Sequence, residues 1–389
     1  MSAGVVISVV IGGIALAAWV YLLLGRGFFW LAQERDDGAL PPEPAAWPDV
    51  VAVVPARNEA DVIERSIGSL LAQDYPGAFR VVLVDDASED GTAARAQGLP
   101  GAGGRLTLLT GRPLPAGWTG KLWAVSQGVE AAQTPLGAPT YLWITDADIA
   151  HDPLTLRRLV ARAEAGGLAL VSLMARLQTG TWPERLLIPA FVFFFDMLYP
   201  FALVNDRRNK LAAAAGGVML VRRAALTAAG GIAAIRAEII DDCALAARLK
   251  AQGPIWLGLT RTSVSLRPYR ALGEIGRMVS RSAYAQLGYS PWLLMGTIAG
   301  MLLVYAAAPL LAVFAGGPAR WLGLATWALM AASFQPMLRY YRLSPLWGAL
   351  LPLIGAIYTA FTLQSAIDVW RGRGGMWKGR AQALAGVRS

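Results

Sequence analysis

Long uncharged apolar segments lie at both ends of the chain, and they constrain its fold more than any other feature. The run Val5–Leu24 carries no charged residue and is followed closely by Arg26. A helix needs about 20 apolar residues to cross a bilayer core. Because no basic residue precedes the run and no small-residue cleavage site follows it, we predict a retained transmembrane anchor over residues 4–24.

Three further apolar runs lie near the C-terminus: Trp292–Ala315, Trp321–Leu338 and Leu346–Val369. Trp and Tyr side chains cluster at their edges, as they do at membrane–water interfaces. The chain is 55% hydrophobic and only 16% charged, whereas a soluble domain carries about 25% charged residues. We therefore predict about three transmembrane helices over residues 292–369, followed by a basic tail over residues 370–389.

A fifth apolar run, Leu186–Val204, contains Asp196 and two prolines. If this run crossed the membrane, acidic pairs of the middle region would lie on opposite sides, so we predict an interfacial or re-entrant segment over residues 186–204. Basic residues favour the cytoplasmic face, and Arg26 therefore places the middle region in the cytoplasm. The basic tail would then emerge outside, which leaves open whether residues 346–369 cross completely.

Charge and composition also limit the partners. The net charge of +9 suits a domain lying against anionic lipid headgroups. Nucleic acid is not a predicted partner, because the basic residues form no stripe interleaved with aromatic side chains. The single Cys243 excludes an internal disulfide, and the single His151 excludes a zinc site built from several histidines. We expect His151 in a loop or at a helix cap.

The middle region, residues 47–290, alternates strand-length apolar runs with segments of helical period. Near-continuous apolar strands separated by helices are typical of a parallel α/β sheet covered on both faces. Ligands of such sheets bind beyond the carboxyl ends of the strands. The predicted strands are Val50–Val54, Phe79–Val84, Leu106–Leu109 and Tyr141–Thr145.

Acidic pairs stand where this fold places its ligands. Asp85-Asp86 and Asp146-Ala147-Asp148 follow two of the predicted strands, and Asp241-Asp242 opens a helix. Asp146 and Asp148 point to the same side of an extended strand end. Such paired carboxylates suit Mg²⁺ or Mn²⁺, which bind through one or two carboxylates together with substrate phosphates. The sequence therefore predicts a divalent metal and a phosphate-bearing ligand at this edge.

Several motifs in order carry a family resemblance: the segments 54–59, 84–92, 117–124, 146–148, 191–205 and 241–245. With them the chain resembles the family-2 inverting glycosyltransferases, whose GT-A domain is a Rossmann-like fold for nucleotide-diphospho-sugars. Most closely it resembles the hopene-associated glycosyltransferases of bacterial hopanoid gene clusters. Its layout is also similar to that of ceramide glucosyltransferases. The resemblance extends from Trp19 to about Gly316.

The resemblance implies a membrane-bound inverting enzyme that transfers a sugar from a nucleotide sugar, UDP-linked, to a hydroxyl of a membrane lipid. By resemblance the lipid is a hopanoid, and a ceramide, isoprenoid or glycerolipid acceptor is the alternative. A catalytically inactive membrane scaffold is the non-enzyme alternative. The implied location is the bacterial inner membrane, with several spans and the catalytic domain facing the cytoplasm.

The resemblance also assigns the donor and metal residues. Asp148 is the implied ligand of the divalent cation, and Asp146 is expected to contact either the metal or the nucleotide. Asp86 is expected to accept a hydrogen bond from the uracil ring or its ribose. The remaining donor-binding assignments lie in the loop after the first strand and at a helix start: Pro55, Arg57, Glu59 and Lys121.

The acceptor end is assigned from residues 241–249, which resemble the pattern Glu-Asp-x-x-Leu-x-x-Arg-Leu. In that pattern the second acid is the general base, so we assign Asp242, with Asp241 as the alternative. Arg277 and Arg281 stand where relatives carry an arginine that closes over the diphosphate. The tryptophan that follows in processive synthases is Ser282 here, which argues against a processive polysaccharide synthase.

Overall fold

The computed structural model describes residues 2–39, 41–132, 138–374, 376–377 and 380–381. The chain divides into two compact units that alternate along the sequence. The first, here called the helical unit, comprises Met1–Gln33, Thr179–Ala202 and Tyr269–Gly374. The second, the sheet unit, comprises Glu34–Gln178, Leu203–Pro268 and Gly375–Ser389.

The sheet unit is built on one eight-stranded sheet. Its strands are β1 Val50–Ala56, β2 Phe79–Asp85, β3 Leu106–Thr110, β4 Tyr141–Ile144, β5 Ile149–His151, β6 Leu170–Arg176, β7 Met219–Arg222 and β8 Ile255–Ser265. Their order across the sheet is β3-β2-β1-β4-β7-β6-β8-β5. A separate pair of two-residue strands joins Met376–Trp377 to Arg380–Ala381.

The first four strands are parallel, as their near-continuous apolar runs predict. Val50 of β1 pairs with Phe79 of β2 and with Tyr141 of β4, and every residue of β1 is buried. This register brings the carboxyl ends of the strands to one edge, where the loops after them meet. The helices of this half are Ile63–Leu71, Thr92–Gln97, Ala102–Arg105 and Gly120–Ala131.

The second half of the sheet is mixed, whereas the apolar runs of the first half predict a parallel sheet. Strand β7 is antiparallel to both β4 and β6, and β5 is antiparallel to β8. Strand β6 is parallel to β8, so this half contains both kinds of pairing. The helices of this half are Thr155–Gly166, Arg223–Ala228, the 3₁₀ turn Ile232–Ile235, and Asp241–Lys250.

The helical unit contains three helices long and apolar enough to cross a membrane, among the residues that the structure describes: Ala3–Gly25, Pro291–Phe314 and Pro345–Trp370. The apolar run between the last two forms the 17-residue helix Gly317–Ser333. A helix of that length spans about 26 Å, less than the roughly 30 Å of a bilayer core. The predicted set of about three C-terminal spans thus becomes two helices of full length and one shorter helix.

The remaining helices of this unit are Phe29–Leu31, Trp182–Leu198, Phe201–Asn205 at the unit boundary, Leu272–Ser280, Ala283–Gln286 and Gln335–Tyr341. Residues Leu302–Ala306 form a π-helical turn inside the span Pro291–Phe314. The indole Nε1 of Trp19 donates to the carbonyl of Val304 at 2.8 Å. This bond ties the N-terminal helix to the π turn.

The segment predicted to be interfacial or re-entrant, residues 186–204, is largely helical. Its helix Trp182–Leu198 begins with a capping box in which Thr181 and Glu184 bond each other's backbone N–H. Most of its apolar side chains are buried in the protein, and the hydroxyl of Tyr358 donates to the carbonyl of Leu187 at 2.9 Å. Its interfacial position stays a prediction.

Helix Gly120–Ala131 packs closely on the sheet at Gly128. A Cβ at this position would clash with Cγ1 of Val53 and lie 3.1 Å from Cγ2 of Val84. We expect Gly128→Ala to lower the free energy of unfolding by about 1–3 kcal/mol, because overpacking a close-packed core forces a backbone shift. Thermal unfolding of the detergent-solubilised protein measures this.

Gly68→Ala is the matched control. A Cβ there would meet nothing within 4 Å, and alanine favours the helix by about 1 kcal/mol over glycine. A melting temperature of Gly68→Ala at or above that of the wild type, with Gly128→Ala several degrees lower, is the expected pair of results. Equal melting temperatures for both variants would contradict the close packing described at Gly128.

Candidate active site

Lys121 lies at the centre of the acidic edge of the sheet unit. It stands in the first turn of helix Gly120–Ala131, whose N-cap Thr119 accepts from the backbone N–H of Leu122. Its Nζ is 3.1 Å from Oδ1 of Asp146 and 3.1 Å from Oδ2 of Asp241. One ammonium group therefore joins the loop after β4 to the start of helix Asp241–Lys250.

Burial alone would lower the pKa of Lys121, but the charges of Asp146, Asp241 and Asp242 outweigh it and raise that pKa above its ordinary value. The side chain is only 16% exposed, so water screens these charges weakly. Lys121 therefore stays an ammonium ion at neutral pH. It holds together carboxylates that would otherwise repel one another.

Asp242 stands beside this ion pair in the first helical turn. Its Oδ2 accepts from the N–H of Gly216 at 3.0 Å, and its Oδ1 accepts from the N–H of Cys243 at 2.8 Å. Burial and the neighbouring charge of Asp241 raise the pKa of Asp242 to about 6, against the opposing effect of Lys121 and these two hydrogen bonds. Asp242 can therefore accept and release a proton near neutral pH.

Glycine at position 216 permits the close approach of this backbone to the acidic edge. A Cβ there would lie 3.2 Å from Nζ of Lys121 and 3.5 Å from Oδ2 of Asp242. The neighbouring carbonyl of Gly217 accepts from Oγ1 of Thr145 at 2.7 Å. The segment before β7 thus contacts both the candidate base and the residue that precedes Asp146.

Arg267 neutralises Asp148, which lies in the loop after β4. This loop, residues 145–148, is called the acidic loop. Nε of Arg267 is 3.0 Å from Oδ2 of Asp148, and its Nη2 is 2.8 and 2.7 Å from the two oxygens of Glu59. The sequence prediction missed this residue. The available signal was its position two residues after β8, which runs parallel to β6 and therefore ends at the same edge as β4.

The loop after β1 is bonded to the loop after β2. Nη1 of Arg57 donates to the carbonyl of Asp86 at 2.5 Å and lies 3.8 Å from its carboxylate. The backbone N–H of Glu59 donates to Oγ1 of Thr92 at 2.9 Å. Asp86 is 2% exposed, and Pro55 lies within β1, paired with Val84. The residues after β1 and β2 that were assigned to the nucleotide-sugar donor therefore lie at the predicted carboxyl edge of the sheet.

Most predicted site residues take part in three groups of ion pairs in the sheet unit. Asp86 contacts Arg57, Glu59 shares Arg267 with Asp148, and Asp146 shares Lys121 with Asp241. Arg277 and Arg281 lie elsewhere, on helix Leu272–Ser280 of the helical unit and at its C-cap. Their contact with a diphosphate stays a prediction.

The acidic loop has the chemistry of a divalent-cation site. The ion pairs of Asp146 and Asp148 each involve one carboxylate oxygen. Among the described residues, no group of three or more His, Cys, Asp or Glu side chains forms a metal cage. Mg²⁺ and Mn²⁺ fit such a loop when bound phosphates and water supply their remaining ligands. Asp146 and Asp148 are the residues that would hold the cation.

The mixed sheet of the sheet unit has the GT-A fold. Residues 51–229 match the family model described as Glycosyl transferase family 2. The matched residues contain all of β1 except Val50, together with the acidic loop and Lys121. This part of the chain is therefore similar to the family 2 glycosyltransferases.

A curated relative, the succinoglycan biosynthesis protein ExoO of Rhizobium meliloti (strain 1021), is 37% identical over 129 residues. The match covers 33% of this chain and 33% of that protein. The chain thus spans about a third of the length of the curated relative that it matches. Similarity to this relative supports the domain class, and it does not extend to the whole protein.

Among solved structures, the mannosyltransferase PcManGT from Pyrobaculum calidifontis, in complex with GDP-Man and Mn²⁺, has a TM-score of 0.59 at 20% identity. The likeness covers 93% of this chain and 99% of that one, and it shows the fold. Glucosyl-3-phosphoglycerate synthase from Mycobacterium tuberculosis, with Mg²⁺ and uridine-diphosphate, covers 63% of this chain and 79% of that one at 21% identity. Its TM-score is 0.41.

The raised pKa of Asp242 makes a prediction about stability. Because the pKa in the folded protein, about 6, lies above the ordinary value of 3.8, this group stabilises the fold below pH 3.8, and that contribution is lost as the pH rises through 6. The amide that Asp242→Asn introduces stays neutral at every pH. We expect the melting temperature of Asp242→Asn minus that of the wild type to become more positive between pH 4 and pH 8.

The amide of the variant accepts from only one of the two backbone donors, which shifts this difference by an amount that does not depend on pH. Asp61→Asn, which removes an exposed carboxylate, is the matched control. A difference that stays constant, or becomes more negative with rising pH, would show that Asp242 is not held in the described environment.

Proposed function

We propose that the protein transfers a sugar from a nucleoside-diphosphate sugar to a hydroxyl of a membrane lipid, with inversion at the anomeric carbon. One observation carries the proposal: Lys121 joins Asp146 of the acidic loop to Asp241, directly beside Asp242. A group that can bind a phosphate-bound cation and a carboxyl that titrates near neutral pH therefore lie within the reach of one side chain.

The donor is proposed to be UDP-linked, as the sequence resemblance implies. The solved mannosyltransferase of similar fold is named as a complex with GDP-Man and Mn²⁺, which supports a nucleotide-sugar donor together with a divalent cation. The buried Asp86 and its partner Arg57 are proposed to contact the base or the ribose. Comparing UDP with GDP as binding probes decides between the two nucleotides.

In the proposed reaction the acceptor oxygen attacks the anomeric carbon while the bond from that carbon to the diphosphate oxygen breaks. The electron pair of the broken bond leaves with the nucleoside diphosphate, and the hydroxyl proton moves to Asp242. A single displacement from the opposite face inverts the configuration. Asp242 is suited to this role because its raised pKa makes it a stronger base than an ordinary carboxylate.

The charge of the leaving diphosphate needs cations at the opposite side of the sugar. A bound Mg²⁺ or Mn²⁺ neutralises part of that charge. Asp148 and Asp146 are proposed to hold the cation, and Lys121 to turn its ammonium group toward the diphosphate. Lys121 already lies 3.1 Å from Asp146. A small rotation of its side chain would therefore let its ammonium group contact the diphosphate while it stays near Asp146.

A membrane lipid is the proposed acceptor because the described part of the chain carries three candidate membrane-spanning helices. A hopanoid is the lipid class that the sequence resemblance implies, with a ceramide, isoprenoid or glycerolipid as the alternative. Transfer to a saccharide is the second candidate function, because the curated relative is named for succinoglycan biosynthesis. The bacterial inner membrane, with the sheet unit facing the cytoplasm, is the proposed location.

Two variants separate the proposed roles of the acids. In the purified protein we expect Asp148→Ala to abolish Mn²⁺-dependent binding of UDP or GDP, since it removes the proposed metal ligand. Asp242→Asn should retain that binding and reduce sugar transfer by about 10²–10⁴-fold, because that is the usual contribution of a general base. Isothermal titration and a radiolabelled transfer assay provide the two measurements.

Asp61→Asn is again the matched control, since it removes a carboxylate of the same size at an exposed position. Transfer by purified Asp242→Asn at the wild-type rate would remove Asp242 as the base. Undiminished metal-dependent binding by Asp148→Ala would remove the metal assignment.

The acceptor is identified by comparing lipid extracts from cells with and without the gene, by mass spectrometry. We expect one lipid to lose a mass increment of a hexose, a hexosamine or a pentose when the gene is deleted. The increment identifies the sugar and the parent ion identifies the lipid. A change confined to a polysaccharide fraction would favour the second candidate function, and a parent ion that is not a hopanoid would reject the hopanoid acceptor.

A further inference from the structure

A buried row of polar groups lies under the acidic loop. Oγ of Ser263, on β8, is 2.9 Å from Nδ1 of His151, and Nε2 of His151 is 3.1 Å from Oγ1 of Thr145. The hydroxyl of Thr145 in turn donates to the carbonyl of Gly217 at 2.7 Å. Ser263 and Thr145 are fully buried and His151 is 6% exposed. We call these four groups the histidine row.

The expectation that His151 occupies a loop or a helix cap is therefore wrong. It is the last residue of β5, and its backbone N–H donates to Oγ of Ser69 at 3.0 Å. Its ring packs against Trp143 with the ring centroids 4.6 Å apart. A single histidine with two buried ring contacts cannot be recognised as such from the sequence, because Thr145 and Ser263 are remote from each other along the chain.

The direction of each hydrogen bond in the row follows from how many hydrogens each group can donate. A carbonyl can only accept, so the single hydroxyl hydrogen of Thr145 is used by Gly217. Nε2 of His151 must then be the donor to Thr145, and Nδ1 must be the acceptor from Ser263. The row therefore fixes the neutral Nε2–H tautomer. Burial also lowers the pKa of His151 to about 3, so the ring stays neutral.

The end of this row formed by Thr145 and Gly217 meets the proposed catalytic machinery. Thr145 directly precedes Asp146, the carboxylate that Lys121 binds. Gly217 follows Gly216, whose N–H donates to Asp242. One hydroxyl thus joins the backbone on which the acidic loop begins to the dipeptide that holds the candidate base.

We propose that His151 is a positioning residue for sugar transfer: as a fixed Nε2–H donor it orients Thr145 and so sets the distance between the acidic loop and the backbone that holds Asp242. The inference rests on the proposed function for its kinetic readout only. The tautomer and the binding readouts do not depend on which sugar or lipid is used.

Asparagine and glutamine at position 151 each keep a different one of the two hydrogen bonds that the His151 ring makes. Glutamine reaches the position of Nε2 and can donate to Thr145, whereas asparagine reaches that of Nδ1 and can only serve Ser263. Each variant loses one buried hydrogen bond, so a purely structural role predicts similar losses of stability, about 1 kcal/mol each. A positioning role predicts that His151→Gln rescues function and His151→Asn does not.

The first experiment measures Mn²⁺-dependent binding of UDP and GDP and the kcat of transfer in both variants. We expect His151→Asn to lower kcat by about tenfold to a hundredfold, since small displacements of catalytic groups cost rates of that order. His151→Gln should lose less than about threefold of kcat, and the melting temperatures of both variants should agree within a few degrees.

Changes at the neighbouring positions provide matched variants. Ser263→Ala should behave as His151→Gln does, because both remove the hydrogen bond between residues 263 and 151 and keep the bond to Thr145. Thr145→Val should behave as His151→Asn does, and Thr145→Ser should restore function because it keeps the hydroxyl. Ser66→Ala is the neutral control: Ser66 is fully buried and, among the described residues, its hydroxyl has no hydrogen-bond partner.

The second experiment uses the fact that the chain contains one histidine. In protein labelled with ¹⁵N-histidine, NMR should show the proton on Nε2 and no titration of the ring between pH 5 and pH 8. Addition of UDP and Mg²⁺ should shift the ring signals, because the row is bonded to the acidic loop.

An Nδ1–H tautomer, or a ring that titrates near its ordinary pKa of 6.5, would overturn the proposal without affecting the proposed function. Equal kcat values for His151→Asn and His151→Gln, at normal nucleotide binding, would also overturn it. If instead the wild type transferred no sugar while the tautomer and the shift on binding were as expected, the proposed reaction would fail and the positioning of the binding loop would remain supported.

Discussion

The ammonium group of Lys121 is the interaction on which the rest of the acidic edge depends. Three carboxylates, those of Asp146, Asp241 and Asp242, surround it and raise its pKa. Without a cation among them, charges of one sign at this partly buried edge would separate the loop after β4 from the helix that begins at Asp241. A fixed internal cation lets the fold keep these acids together before any ligand is bound. Burial and the charge of Asp241 still raise the pKa of Asp242 to about 6, although Lys121 opposes them.

Much of the sheet unit could be predicted from the sequence because local patterns determine it. Strand-length apolar runs predict β1 to β4, and strand ends followed by acidic residues predict the edge where ligands bind. The mixed half could not be predicted in the same way. The direction of β7 depends on pairing with β4 and β6 across long sequence separations, and nothing in the four-residue strand itself specifies it.

The same distinction applies to the site. Asp86, Asp146, Asp148 and Asp242 belong to motifs of recognisable spacing, so the sequence predicts them together. Arg267 and His151 belong to no motif, and their importance arises from contacts with residues remote in sequence. Arg277 and Arg281 show the converse case, since a motif position assigns them while the structure places them in the other unit. Spacing along a chain therefore identifies carboxylates more readily than the cations that neutralise them.

The π-helical turn at Leu302–Ala306 has a consequence for the apolar helices of the other unit. A π turn changes which amide each carbonyl faces, and here the carbonyl of Val304 accepts from the indole of Trp19. In a hydrocarbon environment a lost hydrogen bond finds no water to replace it. Rotation of the N-terminal helix about its own axis would break that bond, so this contact helps to specify which face of the helix packs within the unit and which face is exposed.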